Sequence, residues 1–340
     1  MSNHMVAAVF EGEGRLALRE VDVPRVHAPD DVLLSVLAAG ICGTDVHILS
    51  VPPGHPASRG VILGHEYTAE VVETGGRVEH VRPGDRVVVD PSVWCGSCTY
   101  CQMGLTNLCE RMVGIGIVRD GGFAAMSVVP ARAVYTISPE VRPEIAALAE
   151  PLADVLNGIR KLQIIPGESA LVLGAGPIGL LFVLLLRASG VGKLLVAEVA
   201  DYRAAHAQAC GADLTINPKD ANLAEVVRRE TVVGADIVVD AVGTLLEDAL
   251  RCVRRGGRVL LFGMNEHARP AIKAYDITKF EIQILGTYIA RGTFPLAVRL
   301  LESGQIDFAR LVTHRLPLSD IHQGIELLRK GEAVKVAVLP

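Results

Sequence analysis

The sequence predicts an α/β protein in which a β-rich part precedes a doubly wound parallel sheet, and three observations predict it. An apolar run at 170–173 enters a glycine-rich turn, leads into a long apolar helical segment, and is followed by a second apolar run ending at Glu198. That is the strand, helix, strand order of a parallel crossover unit. Further apolar segments at 236–240, 258–262 and 282–285 alternate with helix-like stretches such as 245–254, which continues the same winding. Before about residue 150 the chain changes character, with short β-like runs broken by Gly and Pro, as in RPGDRVVVDP at 82–91.

With 340 residues, half of them hydrophobic, the chain can bury a large core and has the length of about two domains of ~100–200 residues. The net charge is -5 and the basic residues are scattered, which argues against a nucleic-acid or anionic-membrane partner and for a small-molecule substrate. The longest apolar run, 180–186, falls far short of the ~20 residues that span a bilayer. With no signal pattern at the N-terminus, the chain reads as cytoplasmic, and residues 1–4 read as a leader with no structural part to play.

Taken in order, a strand-like run at 32–39 ends in Gly40 and is followed at once by Cys42, Thr44 and His47. GHEY then places His65 and Glu66 before a strand-like stretch at 68–74. Next come Cys95, Cys98, Cys101 and Cys109, four of the seven cysteines of the chain in fifteen positions. The glycine turn is Gly174-x-Gly176-x-x-Gly179, with Pro177 and Ile178 inside it. After about residue 286 a helical stretch at 295–303 leads to LVTHRLPL, a helix opening at Ser319 and a terminal apolar run. Periodicity alone does not say which domain owns this tail.

In a reducing compartment clustered cysteines are thiolate ligands rather than disulfides. The C-x2-C-x2-C-x7-C spacing lets one looping segment offer four sulfurs to a tetrahedral zinc with no open position, so that ion is structural. Catalysis needs a metal with a vacancy, and Cys42, His65 and Glu66 make a three-ligand set that leaves one. In the glycine turn, the first glycine makes the bend, the second lets a pyrophosphate approach the backbone, and the third permits close helix packing. Glu198 at the end of the second run would accept the ribose hydroxyls and repel a 2'-phosphate, favouring NAD over NADP. Arg203, five residues on, could pair with such a phosphate, although a helix surface charge is its plainer role.

The set GICGTDVH, GHE, the four-cysteine lobe, GGFAAMSVVP, AEPLA, GAGPIG and LVTHRLPL, in this order and over nearly the whole length, resembles the zinc-containing medium-chain dehydrogenases, and among them the sorbitol and polyol dehydrogenase branch. The resemblance implies a GroES-like catalytic domain at 1–150, a Rossmann dinucleotide-binding domain at 151–287, and a return to the catalytic domain at 288–340. It also implies an active site in the cleft between the domains, two zinc ions per chain, and a homo-oligomer, dimer or tetramer. Cys42, His65 and Glu66 match the catalytic zinc ligands of that branch. Glu150, from AEPLA, matches a second acid beside the metal, and the resemblance leaves open which glutamate ligates at rest. Thr44 matches the hydroxyl residue that accepts the proton of the alcohol, and His47 the imidazole that passes it to solvent. The implied reaction is Lewis-acid activation of an alcohol by zinc with hydride transfer to the nicotinamide.

Two departures bear on the substrate. Where animal sorbitol dehydrogenases carry an Arg-Tyr pair, this chain has Ile289 and Ala290, with Arg291 one place further on. Glu150-Pro151, by resemblance absent from threonine dehydrogenases, favours a polyhydroxylated substrate: a polyol, sugar alcohol or cyclitol. The alternatives are an L-threonine 3-dehydrogenase or other zinc alcohol dehydrogenase and, from another class, a non-catalytic nicotinamide-binding redox sensor. Every ligand and relay position that a sensor could lose is filled. His55, His80, His206, His267, His314 and His322 match no catalytic position, and Cys210 and Cys252 read as buried packing residues.

Overall fold

The computed structural model describes residues 3–340. The chain divides into two compact units, Met1–Ala153 with Ala290–Pro340, and Asp154–Ile289. The first division falls inside the helix Ala149–Leu162. The second falls in the loop that carries Ile289, whose φ is 31°.

The first unit is organised by the strand Asp31–Ile41, DVLLSVLAAGI, which is buried along nearly its whole length. An apolar run that does not alternate belongs in a strand covered on both faces, and this one pairs with three others. The sheet runs Val312–Pro317, Lys335–Leu339, Asp31–Ile41, Glu66–Thr74, Arg86–Val89, Val134–Thr136, with Met126–Pro130 also on Asp31–Ile41. Leu34, Ile41, Leu63, Tyr67, Ile115 and Phe123 are fully enclosed in its core. The tail is thereby assigned to this unit by pairing. Lys335–Leu339 lies antiparallel to Asp31–Ile41, with Ala337 opposite Gly40, and a partner so distant in sequence leaves no local signature.

The leader reading of residues 1–4 is corrected in part. Met1 and Ser2 lie outside the described residues, but His4 opens the strand His4–Gly12 and pairs with Asp22, and the Asn3 carbonyl accepts the Val23 N–H at 2.9 Å.

The second unit is a six-stranded parallel sheet in the order Leu214–Ile216, Lys193–Ala197, Ser169–Leu173, Ala235–Asp240, Val253–Leu261, Gln283–Gly286. The chain winds outward from Ser169–Leu173 first to one side and then to the other, so the sheet has its switch point there, where a doubly wound fold binds its ligand. The helix Pro177–Ala188 buries every residue from Gly179 to Leu186, as a segment apolar on all sides must. Two expected helices are shorter than their patterns. The stretch at 245–254 is helical only over Leu246–Cys252, because Val253 pairs with Ala235 and begins the next strand. The helix expected from Ser319 begins with a 3-10 turn, Leu318–Asp320, and is α-helical over Ile321–Lys330.

Candidate active site

The cysteine lobe is a chain of short turns. Cys98 caps the helix Thr99–Gln102, and the 3-10 turn Thr106–Leu108 delivers Cys109. The four Sγ atoms lie within 4.8 Å of one another. Backbone donors point at them: the Cys95 N–H at 3.3 Å from Cys109 Sγ, the Cys98 N–H at 3.3 Å from Cys95 Sγ, and the Arg111 N–H at 3.4 Å from Cys109 Sγ. Such donors favour thiolates. The Ser97 N–H, together with that of Cys98, draws the Cys95 thiol down to about 5. Four convergent sulfurs on one short lobe fit a tetrahedral zinc with no vacancy.

A second donor set forms where the strand Asp31–Ile41 runs out. Cys42 caps the short helix Gly43–Ile48, while His65 and Glu66 stand at the start of the neighbouring strand Glu66–Thr74. Cys42 Sγ, an imidazole nitrogen of His65 and a Glu66 carboxylate oxygen lie within 4.8 Å of one another. His65 and Glu66 are buried and Cys42 is half-buried. One soft thiolate, one imidazole and one carboxylate fit zinc with a position to spare. Thr44 Oγ1 is 3.7 Å from Cys42 Sγ, and His47, on the last turn of the same helix, is exposed to solvent.

Glu150 stands in the first turn of Ala149–Leu162, half-buried and outside the three-donor set. Its charge nonetheless reaches the site, since it helps to raise the pKa of Lys335.

The geometry adds two residues that the sequence reading missed. Asp45, fully buried, accepts the Cys42 N–H on Oδ2 at 2.9 Å and holds Oδ1 3.6 Å from His65 Nδ1. The signal was present: an acid three residues after a helix-capping position commonly reaches back to the cap. Lys335, 2% exposed, places Nζ 2.8 and 2.5 Å from the two oxygens of Glu66. Its only signal was a charge at the head of an apolar terminal run.

In the second unit Gly174 has φ 93°, and a Cβ on Gly179 would lie 1.9 Å from the Gly174 carbonyl oxygen. A Cβ on Gly176, by contrast, would meet nothing within 4 Å. Packing therefore does not require that glycine, and the open space before the helix is room for a phosphate at its N-terminus. Pro177 takes the first helical position, where its missing N–H costs nothing, and Ile178 follows half-buried. Glu198 is buried, with Oε2 accepting the Ala175 N–H at 2.7 Å and Oε1 accepting Val199 and Ala200 at 2.9 Å. These bonds fix the carboxylate beside the glycine turn. Arg203 lies on Asp201–Ala209, and its Nε has no hydrogen-bond partner among the described residues. Arg291 is half-buried.

The remaining histidines and cysteines stay apart. His55, His80 and His206 bond local or neighbouring carbonyls, and His314 bonds Thr313. Cys210 and Cys252 are buried.

Residues 28–139 match the alcohol dehydrogenase GroES-like domain and residues 177–303 match the zinc-binding dehydrogenase domain. The chain is 38% identical to D-altritol 5-dehydrogenase of Agrobacterium fabrum, over 93% of this chain and 94% of that protein. It is 34% identical to L-threonine 3-dehydrogenase of Caldanaerobacter subterraneus, over the full length of both. Among solved structures it superposes, at TM-score 0.93 and 33% identity with both chains fully covered, on a protein described as a zinc-binding dehydrogenase from Sinorhizobium meliloti 1021, bound to NADP. The chain belongs to the zinc-binding medium-chain alcohol dehydrogenases. It is accordingly an enzyme, an oxidoreductase with a GroES-like domain and a Rossmann sheet.

Proposed function

We propose that the chain oxidises a secondary alcohol of a polyol, sugar alcohol or cyclitol with NAD, using a catalytic zinc on Cys42, His65 and Glu66 and a structural zinc on Cys95, Cys98, Cys101 and Cys109. The observation that carries the reading is the three-donor set, whose ligand atoms lie within 4.8 Å of one another. When bound there, zinc supplies Lewis acidity toward the alcohol oxygen while NAD accepts the hydride. The residues of the chain do the rest. Thr44, beside Cys42, takes the proton of the alcohol, and exposed His47 passes it to water. Glu150 adds an acceptor for a neighbouring hydroxyl, which a polyol has and a simple alcohol lacks. Gly174, Gly176 and Gly179 with Pro177 and Ile178 receive the pyrophosphate, and Glu198 the ribose hydroxyls. Arg203 stands on the following helix as the residue that a 2'-phosphate would recruit. We further propose a cytoplasmic homo-oligomer, dimer or tetramer, with domains at 1–150, 151–287 and 288–340.

The similarity to D-altritol 5-dehydrogenase supports a polyol substrate. A second reading, L-threonine 3-dehydrogenase, draws on the full-length similarity to that enzyme. A panel of polyols, cyclitols, L-threonine and simple alcohols, read by NADH absorbance with parallel NADP assays, separates the two. A polyol or cyclitol should give the highest kcat/KM, and preference for threonine would replace the first reading with the second.

A further inference from the structure

The parallel strands of the second unit end in one row. Leu173 lies beside Asp240, Asp240 beside Leu261, and Leu261 beside Gly286, so the segment 287–289 leaves its strand level with the glycine turn that follows Leu173. Ligands of a doubly wound sheet bind at these carboxyl ends. Glu198 follows the strand on one side of the glycine turn, and 287–289 lies on the other side, three strand spacings or about 14 Å away. With the pyrophosphate at the turn and the adenosine ribose at Glu198, the nicotinamide half of a dinucleotide extends toward 287–289.

The segment does little to hold itself. Ile289 has φ 31°, a positive value that a β-branched residue adopts only under strain and keeps only where its surroundings over-determine it. Thr287 Oγ1 is buried with no hydrogen-bond partner among the described residues. The hold comes from the helix Ala149–Leu162. Asn157, 1% exposed, donates its side-chain amide to the carbonyl oxygens of Tyr288 at 3.2 Å and Ile289 at 2.7 Å. One turn further along the same face, Lys161 Nζ lies 2.6 Å from the Gly286 carbonyl oxygen. Both side chains and the segment belong to the second unit.

We propose that Asn157, seconded by Lys161, is a positioning residue that sets the segment 287–289 to receive the nicotinamide half of the cofactor. The proposal rests on the reading of the glycine turn and Glu198 as an NAD site. Asn157 acts through the backbone. By tying two successive carbonyls it fixes the peptide planes on either side of Ile289, and with them the strained conformation of that residue. Without the amide, Ile289 relaxes toward negative φ and the segment keeps its receiving arrangement only part of the time, so apparent affinity falls by that fraction. The adenosine half, bound on the other side of the turn, is unaffected.

The test compares NADH with ADP-ribose, which lacks the nicotinamide, on the purified full-length chain. Titration calorimetry gives Kd for each, and hydrogen exchange read by mass spectrometry follows the amides of 286–289. Asn157→Leu, close in size and without a donor, and Asn157→Ala should each raise Kd for NADH by about 10-fold while changing that for ADP-ribose by less than about 2-fold. Exchange should quicken in the segment and stay unchanged in the strands Ser169–Leu173 and Ala235–Asp240. A merely structural asparagine predicts a lower Tm with any loss of affinity shared by the two ligands, and that result would overturn the proposal, as would unchanged binding. If neither variant folds, Lys161→Met at its half-buried position decides: a rise of about 3-fold in Kd for NADH alone supports the proposal, and an unchanged or shared effect overturns it. A wild type that binds neither NADH nor ADP-ribose would sink the cofactor reading itself, independently of either side chain.

Discussion

Asp45 and His65 face each other across the donor site, with Oδ1 of one 3.6 Å from Nδ1 of the other. Neither atom has a hydrogen-bond partner among the described residues, and the second oxygen of Asp45 is already committed to the Cys42 N–H. A carboxylate facing this nitrogen would leave Nε2 of the imidazole to donate to a metal and would fix the plane of the ring. Burial pulls the imidazole pKa down, but the charges of Asp45 and Cys42 outweigh it and raise it well above the ordinary value.

Replacing Asp45 by Asn keeps an acceptor for the Cys42 N–H and removes the charge facing His65. Losing such a partner of a metal-ligating histidine typically costs about 10- to 100-fold in metal affinity or activity. Asp45→Asn should therefore lower zinc affinity at the Cys42 site within that range, measured by chelator competition, with the fold intact by circular dichroism. Wild-type zinc retention and kcat/KM would remove Asp45 from the site.

The two metal sets should separate by mutation. Cys42→Ser should abolish turnover, leave one zinc per chain and barely change Tm. Cys98 is buried and caps the turn that forms the lobe, so Cys98→Ser should lose the other zinc and lower Tm by about 5 °C or more, the equivalent of roughly 2 kcal/mol in a unit of this size. Elemental analysis with thermal melts checks both, and a fully active wild type holding no more than one zinc would contradict the assignment.

Glu198 should set the choice of cofactor. Its carboxylate is held by three backbone N–H groups, so it cannot swing aside for a 2'-phosphate without leaving those donors unpaired. Wild type should prefer NAD. Glu198→Gln, which keeps the size and removes the charge, should lower kcat/KM for NAD by about 10-fold, a loss of roughly 1.4 kcal/mol, and narrow the gap to NADP. Initial rates with the two cofactors decide it, and equal or better use of NADP by wild type would show that Arg203 outweighs Glu198.

A pH effect on stability should trace to Asp90, just beyond the strand Arg86–Val89. Burial pushes its carboxyl up to about 7, although its Oδ1 accepts the Ser92 N–H at 2.9 Å. The folded protein therefore holds the proton more tightly than the unfolded chain, whose value is near 3.8. Stability from this group is complete below about pH 4 and is lost as pH rises toward 7. Asp90→Asn carries no such proton, so its advantage over wild type should be absent at pH 4 and grow to the order of 1–3 kcal/mol by pH 8. Urea melts across that range measure it, and a difference that does not vary with pH would exclude the carboxyl.

What the sequence made legible follows from the distance over which each feature is encoded. The cysteine lobe and the glycine turn are complete within about fifteen and thirty residues of chain, and their spacing alone states their geometry. Cys42, His65 and Glu66 were nameable because each sits beside a strand end with its own short motif. Asp45 was printed inside one of those motifs, but its second contact is with His65 on another strand, so its meaning is tertiary. Lys335 lies 269 residues from Glu66 and was beyond any reading of spacing. The same applies to the tail, whose place in the first sheet rests on pairing with Asp31–Ile41 rather than on its own pattern. The overreach of the helix pattern at Val253 has a similar cause, a sheet partner at Ala235 that periodicity does not see.

Glu150 is the residue through which the proposed site would select its substrate. It stands in the first turn of a fourteen-residue helix, where the helix dipole favours a negative charge, and close enough to the donor set to act on Lys335. A carboxylate in that position can accept a hydroxyl next to the one being oxidised. That orients a vicinal polyol in the transition state and gives nothing to an alcohol without a second hydroxyl. Glu150→Gln should therefore lower kcat/KM for the best polyol by about 10- to 100-fold while changing that for a simple secondary alcohol by less than about 3-fold. Zinc content measured on the same samples separates lost positioning from lost metal: a full complement of zinc with reduced polyol turnover is the expected result. A loss shared equally by polyol and simple alcohol would assign Glu150 to the metal instead, and unchanged polyol kinetics would leave substrate choice to other residues.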